Sequence, residues 1–287
     1  MKPENGITDR IKGLSNRKEL PDKTPYIGIS VNNIINISET FGISSREVEI
    51  ASLEEEIIPE RYIRNMKSFS AADQVILLKS TATIAGLGGL GGVVTEILAR
   101  MGIGTLKLVD GDVFEESNLN RQYLCRENLI SMSKADAAAK RVKEINSSLT
   151  VFRHGVYLKE DNASGIIRNS DVVIDCLDSL PGRFVLEKAS KNADCRLVSA
   201  AVAGSYGHIT TIFPEDPGLK LVYGDPEKVP DKGAETSLGA LSHCVALIAS
   251  LEASEAIKII LKKGTLLRNK LLVVDLDGNT FETMQLL

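Results

Sequence analysis

"TATIAGLGGLGGVVTEILARMGIGTLKLVDGD", running from Thr81 to Asp112, decides the fold. It opens on "TATIAGL", a short apolar run with the length of a buried strand. A Gly-x-Gly-x-x-Gly turn comes next at Gly86, Gly88 and Gly91. "GVVTEILARM" then puts Val93, Ile97, Leu98 and Met101 at helical spacing. "GTLKLVDGD" reads as a second strand that ends in Asp110 and Asp112. An acidic pair about twenty residues after such a turn is the spacing of a dinucleotide-binding βαβ unit. The turn alone leaves the chemistry open. It fits a nicotinamide or flavin enzyme, and it fits a different nucleotide used for a different reaction.

Outward from this unit the α/β pattern continues. "SKADAAAKRVKEIN" reads as a helix, "TVFRHGV" and "SDVVIDCLD" as strands, "FVLEKASKN" as a helix and "RLVSAAV" as a strand. This alternation predicts right-handed βαβ units. The fold class is therefore α/β, a Rossmann-like, mainly parallel sheet with helices on both faces. "GHITTIFPED" and "NKLLVVDLDGNTFETMQLL" read as antiparallel C-terminal strands, the latter turning at Asp277-Gly278. Between them "ALSHCVALIASLEASEAIKIILKKG" is one long apolar helix ending in lysines and Gly264. The stretch from Pro214 to Leu241 is rich in Pro, Gly and charge, a crossover loop of a length that is mobile or functional.

Upstream, residues 1 to about 24 are polar and broken by Pro and Gly, so a poorly ordered or loosely docked segment is expected. Residues 25 to 60 show helical spacing around a Gly42–Ser44 turn, with Ser44 or Ser45 as a helix cap and Glu47 placed for a capping box. "ISETFGISSREVE" has the look of a helix-turn-helix, but its second helix carries Glu47, Glu49, Glu54, Glu55 and Glu56 against Arg46. That charge argues against DNA. The expected organisation is a flexible segment and small helical appendage over 1–60, then one nucleotide-binding domain over 61–287.

Composition narrows the function. The chain has 287 residues, a net charge of −4 and 25% charged residues, so no basic field favours nucleic acid. No stretch reads as a signal peptide or membrane span, which points to a cytoplasmic protein. Cys125, Cys176, Cys195 and Cys244 include no C-x-x-C pair, so no zinc site is expected and the thiols read as reduced and mostly buried. His154, His208 and His243 are scattered with no triad-like neighbours in sequence.

The residues after Asp110 separate the nucleotide readings. In "VDGDVFEESNLNRQYLCRENLISMSKADAAAKR" a polar run holds Asn118, Arg121 and Gln122, and Lys134 opens a helix. Asp178 ends a later strand. Strand ends in open α/β sheets face the ligand crevice, so Asp110, Asp112 and Asp178 should converge there. Two cations and an extra carboxylate suit a triphosphate with Mg²⁺ better than a dinucleotide. Each residue has a structural alternative: Arg121 as a surface ion pair, Lys134 as a solvated helix residue, Asp178 as a helix cap.

From about Glu60 onward the chain resembles the ThiF/HesA/MoeB family, bacterial relatives of ubiquitin-activating enzymes. "RYIRN" at Arg61 to Asn65 is similar to the family's Arg-Tyr-x-Arg-Gln motif, and "GLGGLGG" to its nucleotide turn. "DGDVFEESNLNRQ" matches its most specific segment, Lys134 falls at its spacing, and "DCLDS" with Arg183 resembles Asp-Cys-x-Asp-Asn. "SLEASEAIKII" resembles its long C-terminal helix. The resemblance implies ATP and Mg²⁺ as cofactors. It also implies adenylation of the C-terminal Gly-Gly carboxylate of a small ubiquitin-like sulfur carrier (MoaD/ThiS type), as in molybdopterin, tungstopterin or thiamine synthesis. It implies that Asp110 holds the ribose, with Gly86, Gly88, Gly89, Gly91, Asp112, Ser117, Asn118, Leu119, Asn120, Gln122 and Ser179 lining the nucleotide. By the same match Arg121 and Lys134 stabilise phosphate charge, Asp178 holds Mg²⁺, and Arg64 reaches the neighbouring subunit of a homodimer. The chain departs from the family in lacking zinc cysteines and any cysteine in the crossover loop, which favours adenylation without a thioester. Adenylation of another carboxylate (a modified tRNA base or a peptide), a non-catalytic ATP-binding partner subunit, and hydride transfer are the competing readings.

Overall fold

A computed structural model describes residues 3–287. The chain begins with α1 (Pro3–Leu14), β1 (Asn16–Glu19), β2 (Pro25–Ile29), α2 (Val31–Phe41), α3 (Ser45–Glu54) and β3 (Ile57–Pro59). A 3₁₀ turn over Glu60–Asn65 and α4 (Ala71–Lys79) lead into β4 (Thr81–Ala85), α5 (Gly89–Met101) and β5 (Thr105–Val109). Then come α6 (Lys134–Ile145), β6 (Thr150–His154), α7 (Glu160–Ile167), β7 (Val172–Asp175), α8 (Leu180–Asn192) and β8 (Arg196–Ala203). The remainder is β9 (Tyr206–Ile212), α9 (Lys220–Tyr223), α10 (Glu235–Leu238), α11 (Ser242–Leu261), β10 (Lys270–Asp275) and β11 (Thr280–Gln285).

The eight-stranded sheet runs β11-β10-β9-β8-β7-β4-β5-β6. From β6 to β8 the pairings are parallel, and β9, β10 and β11 add on antiparallel, as the sequence predicts. Side-chain alternation feeds two faces. Ala82 and Ile84 of β4 with Val172 and Ile174 of β7 enter the large core shared with α5 and α11. Ala85 and Val173 enter a second core with Ala163 of α7 and Leu186 and Ala189 of α8. The parallel strands are buried on both faces, which is why their sequences are nearly continuous apolar runs.

Register positions the site. Ala85 pairs with Val109 on one side and with Asp175 on the other. The next residues, Gly86, Asp110 and Cys176, therefore leave the sheet side by side where the strand order reverses, the crevice in which open α/β sheets bind ligands.

The first 60 residues depart from expectation. Ser44 does form a capping box with Glu47, and α2 and α3 are helices. But residues 3–24 are not a loose polar segment: they contain α1 and the first strand of a β1-β2-β3 sheet. Ile7, Ile11 and Leu14 recur at i, i+4 and i+7 among charges, and Ile11 is fully buried with Ile34, Ile37 and Val48. Met1 and Lys2 lie outside the described residues. This small unit is tied to the main domain through α3. Arg46 Nη1 donates to the Gly104 carbonyl at 2.6 Å and to Thr105 Oγ1 at 2.9 Å. The fully buried Glu49 accepts from Ser148 Oγ at 2.9 Å and Tyr62 OH at 3.2 Å, with Arg61 Nε at 3.4 Å. Burial pushes the Glu49 carboxyl above its ordinary pKa, against the pull of Arg61.

Candidate functional site

Two glycines of the β4–α5 turn are dictated by contact. Gly86 has φ +88°, and a Cβ there would lie 2.5 Å from the Cys176 carbonyl oxygen. A Cβ on Gly91 would lie 1.8 Å from the Gly86 carbonyl oxygen, so only glycine lets α5 start this close to the strand end. α5 begins at Gly89, and its N-cap, Gly88, supplies no side-chain cap. Its first N–H groups and its positive dipole end therefore face the crevice, as a phosphate site requires.

Asp110 leaves β5 opposite this turn. Its Oδ2 accepts from Leu87 N at 2.7 Å and its Oδ1 from Asp112 N at 2.8 Å, leaving one lone pair on each oxygen. Burial raises its pKa, opposed by those two N–H groups and by Lys134. Asp112 accepts from Tyr157 OH at 2.7 Å and from Lys134 Nζ at 3.1 Å. Burial would push the Asp112 carboxyl up, but Tyr157, Lys134 and the more distant Lys232 together hold it below its ordinary pKa. Lys134 is the first residue of α6, which Ser133 caps. It is 8% exposed, so it is not a solvated helix residue.

The polar run folds as a 3₁₀ turn over Glu116–Asn118. Asn118 is buried and its Oδ1 accepts from Glu115 N at 3.1 Å. Arg121 is not a surface ion pair: its Nη1 donates to the Ser117 carbonyl and to Asn120 Oδ1, both at 2.9 Å. Its Nε and Nη2 make no hydrogen bond among the described residues. Leu119 is exposed, and Asn120 Nδ2 reaches the Ala240 carbonyl at 3.4 Å. Gln122 is buried beside Gly88, and its Oε1 has no hydrogen-bond partner among the described residues. Gly89 faces Val245 of α11 rather than open space.

Asp178 is not a helix cap. Ser179 Oγ caps α8, accepting from Gly182 N at 3.2 Å, and leaves the Asp178 carboxylate 72% exposed in the crevice. A buried network that sequence motifs do not reveal holds this segment. Arg183, buried in α8, pairs with Asp175 Oδ2 at 3.1 Å, donates to the Ala200 carbonyl at 2.8 Å and also binds the Leu177 carbonyl. Ser199 Oγ donates to the same Asp175 oxygen at 2.7 Å. The strand itself ends at Asp175, not at Asp178 as the sequence suggests, and Arg183 anchors the β7–α8 turn in which Asp178 lies. The other addition is Lys232, whose Nζ pairs with Asp178 Oδ2. It comes from the crossover loop, where no local motif marks it. Tyr157, which orients Asp112, likewise lies just beyond β6 without a motif.

Arg64 stands apart. It sits in the 3₁₀ turn before α4, in a pocket of about 190 Å³ lined by Leu20, Pro21, Asp22, Ile63 and Lys67. All four thiols have pKa values raised by burial, Cys195 to about 12 and Cys176 well above its ordinary value with Glu252 beside it. Among the described residues no group of three or more His, Cys, Asp and Glu side chains could hold a metal, and no helix is long and apolar enough to cross a membrane.

The crevice has the chemistry to hold a nucleotide polyphosphate: an uncapped helix start, Arg121 and Lys134 as donors, Asp110 with free lone pairs, and an exposed hard carboxylate at Asp178. The ThiF family model matches residues 61–286. SAMP-activating enzyme E1 of Haloferax volcanii is 33% identical over 230 residues, 78% of this chain and 84% of that protein. Adenylyltransferase and sulfurtransferase MOCS3 of Drosophila yakuba is 34% identical over 232 residues, 79% of this chain, which spans 51% of the MOCS3 length. In three dimensions the fold is similar to E. coli MccB, solved with ATP (TM-score 0.68, 20% identity, 98% of this chain and 86% of that one). PaaA is comparable (TM-score 0.67, 19% identity, 79% of this chain and 82% of that one). With a family model matched from residue 61 to 286 and relatives at 33–34% identity, the chain belongs to the ThiF family of ubiquitin-activating-like adenylyltransferases.

Proposed function

We propose that the protein adenylates the C-terminal Gly-Gly carboxylate of a small ubiquitin-like sulfur-carrier protein, using ATP and Mg²⁺, as a cytoplasmic homodimer. The observation that supports this reading is the joining of Asp110 to the turn before α5, with the Asp112–Lys134 pair beside it and Asp178 following the neighbouring strand β7. In the reaction a tail carboxylate oxygen bonds to the α-phosphorus. The bond from that phosphorus to the bridging oxygen breaks, and pyrophosphate leaves with the electron pair. Asp110 holds the ribose through its free lone pairs. Asp112 occupies one of the three Lys134 donors, so the others serve the phosphoryl oxygens as charge builds on them. Arg121, steadied by Ser117 and Asn120, does the same. A Mg²⁺ ion on Asp178 would neutralise charge on the leaving pyrophosphate. Arg64, away from this cleft in its own chain, acts across the dimer. The high thiol pKa values support an enzyme that stops at the acyl-adenylate.

The test is ATP–pyrophosphate exchange with Gly-Gly-ended carriers. Carrier-dependent exchange that disappears in Asp178→Ala is the expected result. No exchange with any such carrier, or exchange unchanged in Asp178→Ala, contradicts the reading.

A further inference from the structure

The crossover loop makes direct contact with the Asp178 segment. Its backbone is pinned to the Asp178 segment: the Leu180 N–H donates to the Asp231 carbonyl at 3.1 Å, and Lys232 bridges Ser179 in antiparallel fashion. That attachment delivers the Lys232 ammonium onto the Asp178 carboxylate. The same ammonium is felt at Asp112, on the other wall of the crevice. Both members of the pair are open to water, Lys232 at 48% and Asp178 at 72% exposure. Water-exposed pairs contribute little to stability and break readily. The contact is therefore weak enough to exchange, and it occupies one of the two oxygens that Asp178 offers a divalent cation.

We propose that Lys232 is an internal cation that competes with the metal for Asp178, so that the metal binds well only together with the nucleotide. This rests on the reading of Asp178 as the metal carboxylate. A metal ion arriving alone meets a neutralised carboxylate and a nearby positive charge. With the triphosphate present, its oxygens offer Lys232 another anion, and Asp178 is released to the metal. The loop pinned beside Asp178 is thereby coupled to the order of binding.

The test uses the full chain and Mn²⁺ alone, at low ionic strength, with free Mn²⁺ read by electron paramagnetic resonance. Lys232→Met should bind Mn²⁺ about three- to tenfold more tightly than the wild type, the order expected from removing one charge at a solvent-exposed site. Lys232→Arg should behave as the wild type, and Asp178→Asn should bind weakly whether or not Lys232 is present. Adding ATP should tighten Mn²⁺ binding more in the wild type than in Lys232→Met. Unchanged affinity in Lys232→Met, with Asp178→Asn weakened, overturns this proposal and leaves the metal assignment standing. If the gain in Lys232→Met survives Asp178→Asn in the same chain, or if Asp178→Asn leaves Mn²⁺ binding in the presence of ATP unchanged, the metal assignment itself falls, and this proposal with it. Circular dichroism melts show that each variant is folded.

Discussion

Replacing Gly91 by alanine sets two effects of opposite sign against each other. Alanine in a helix is favoured over glycine by about 1 kcal/mol, and Gly91 lies in the first turn of α5. Against this, the new Cβ would sit 1.8 Å from the Gly86 carbonyl oxygen, where real contacts essentially never fall below 3.0 Å. The turn and the helix must part by about 1.2 Å, and the neighbour is backbone, which has no rotamer to yield. Overpacking of this kind costs about 1–3 kcal/mol, so a net loss of up to about 2 kcal/mol is expected. A shift of about 1 Å in the phosphate-facing N–H groups should also lower ATP-dependent turnover on the order of 100-fold. Gly165 is the control. It lies on the exposed side of α7, and a Cβ there meets nothing within 4 Å, so Gly165→Ala should stabilise by up to about 1 kcal/mol. Urea unfolding and calorimetric titration with ATP read both variants. A Gly91→Ala protein as stable as the wild type with normal ATP affinity would refute the close-approach argument.

Buried groups supply three further expected outcomes. Arg183→Met leaves Asp175 buried without its cation, so urea unfolding should show a loss of about 3–5 kcal/mol; a loss below about 1 kcal/mol would show that Ser199 suffices. Glu252 is fully buried beside Cys176 and its pKa is raised well above the ordinary value, chiefly by burial. The folded state keeps a proton that the unfolded state releases, so this stabilisation is full below about pH 4.5 and falls as pH rises toward the folded pKa. Thermal melts should show Glu252→Gln gaining on the wild type between pH 5 and pH 8 (on the order of a few degrees), and parallel curves would contradict a neutral Glu252. Ile11→Ala should destabilise by about 2–5 kcal/mol because Ile11 is fully buried in the N-terminal unit. A negligible effect on thermal melting would return residues 3–24 to the status of a loose segment.

The sheet was legible because its signals are local. Each parallel strand is buried on both faces and reads as an apolar run, each helix carries its own stripe, and the glycine turn is required by contacts within one βαβ unit. Asp110 was legible because strand ends in this architecture share one edge, and Lys134 and Asp178 because they follow the neighbouring strands at the spacing of a family motif. The N-terminal unit was not. β1 and β3 have four and three residues, and α1 hides three apolar residues among charges, too weak a pattern to read without the partner elements that bury it.

Sequence alone determined the alternating strands and helices of the nucleotide-binding domain, the nucleotide turn and the residue types offered to the ligand, because backbone period and chemical type are carried by neighbours in the chain. Only the tertiary structure decided what each charge faces. It put Ser179 rather than Asp178 on the helix cap, spent Arg183 on Asp175, placed Arg64 in a pocket of its own and brought Lys232 from 54 residues away onto Asp178. Those pairings join segments distant in the chain, and register, packing and a pinned loop set the distances between them.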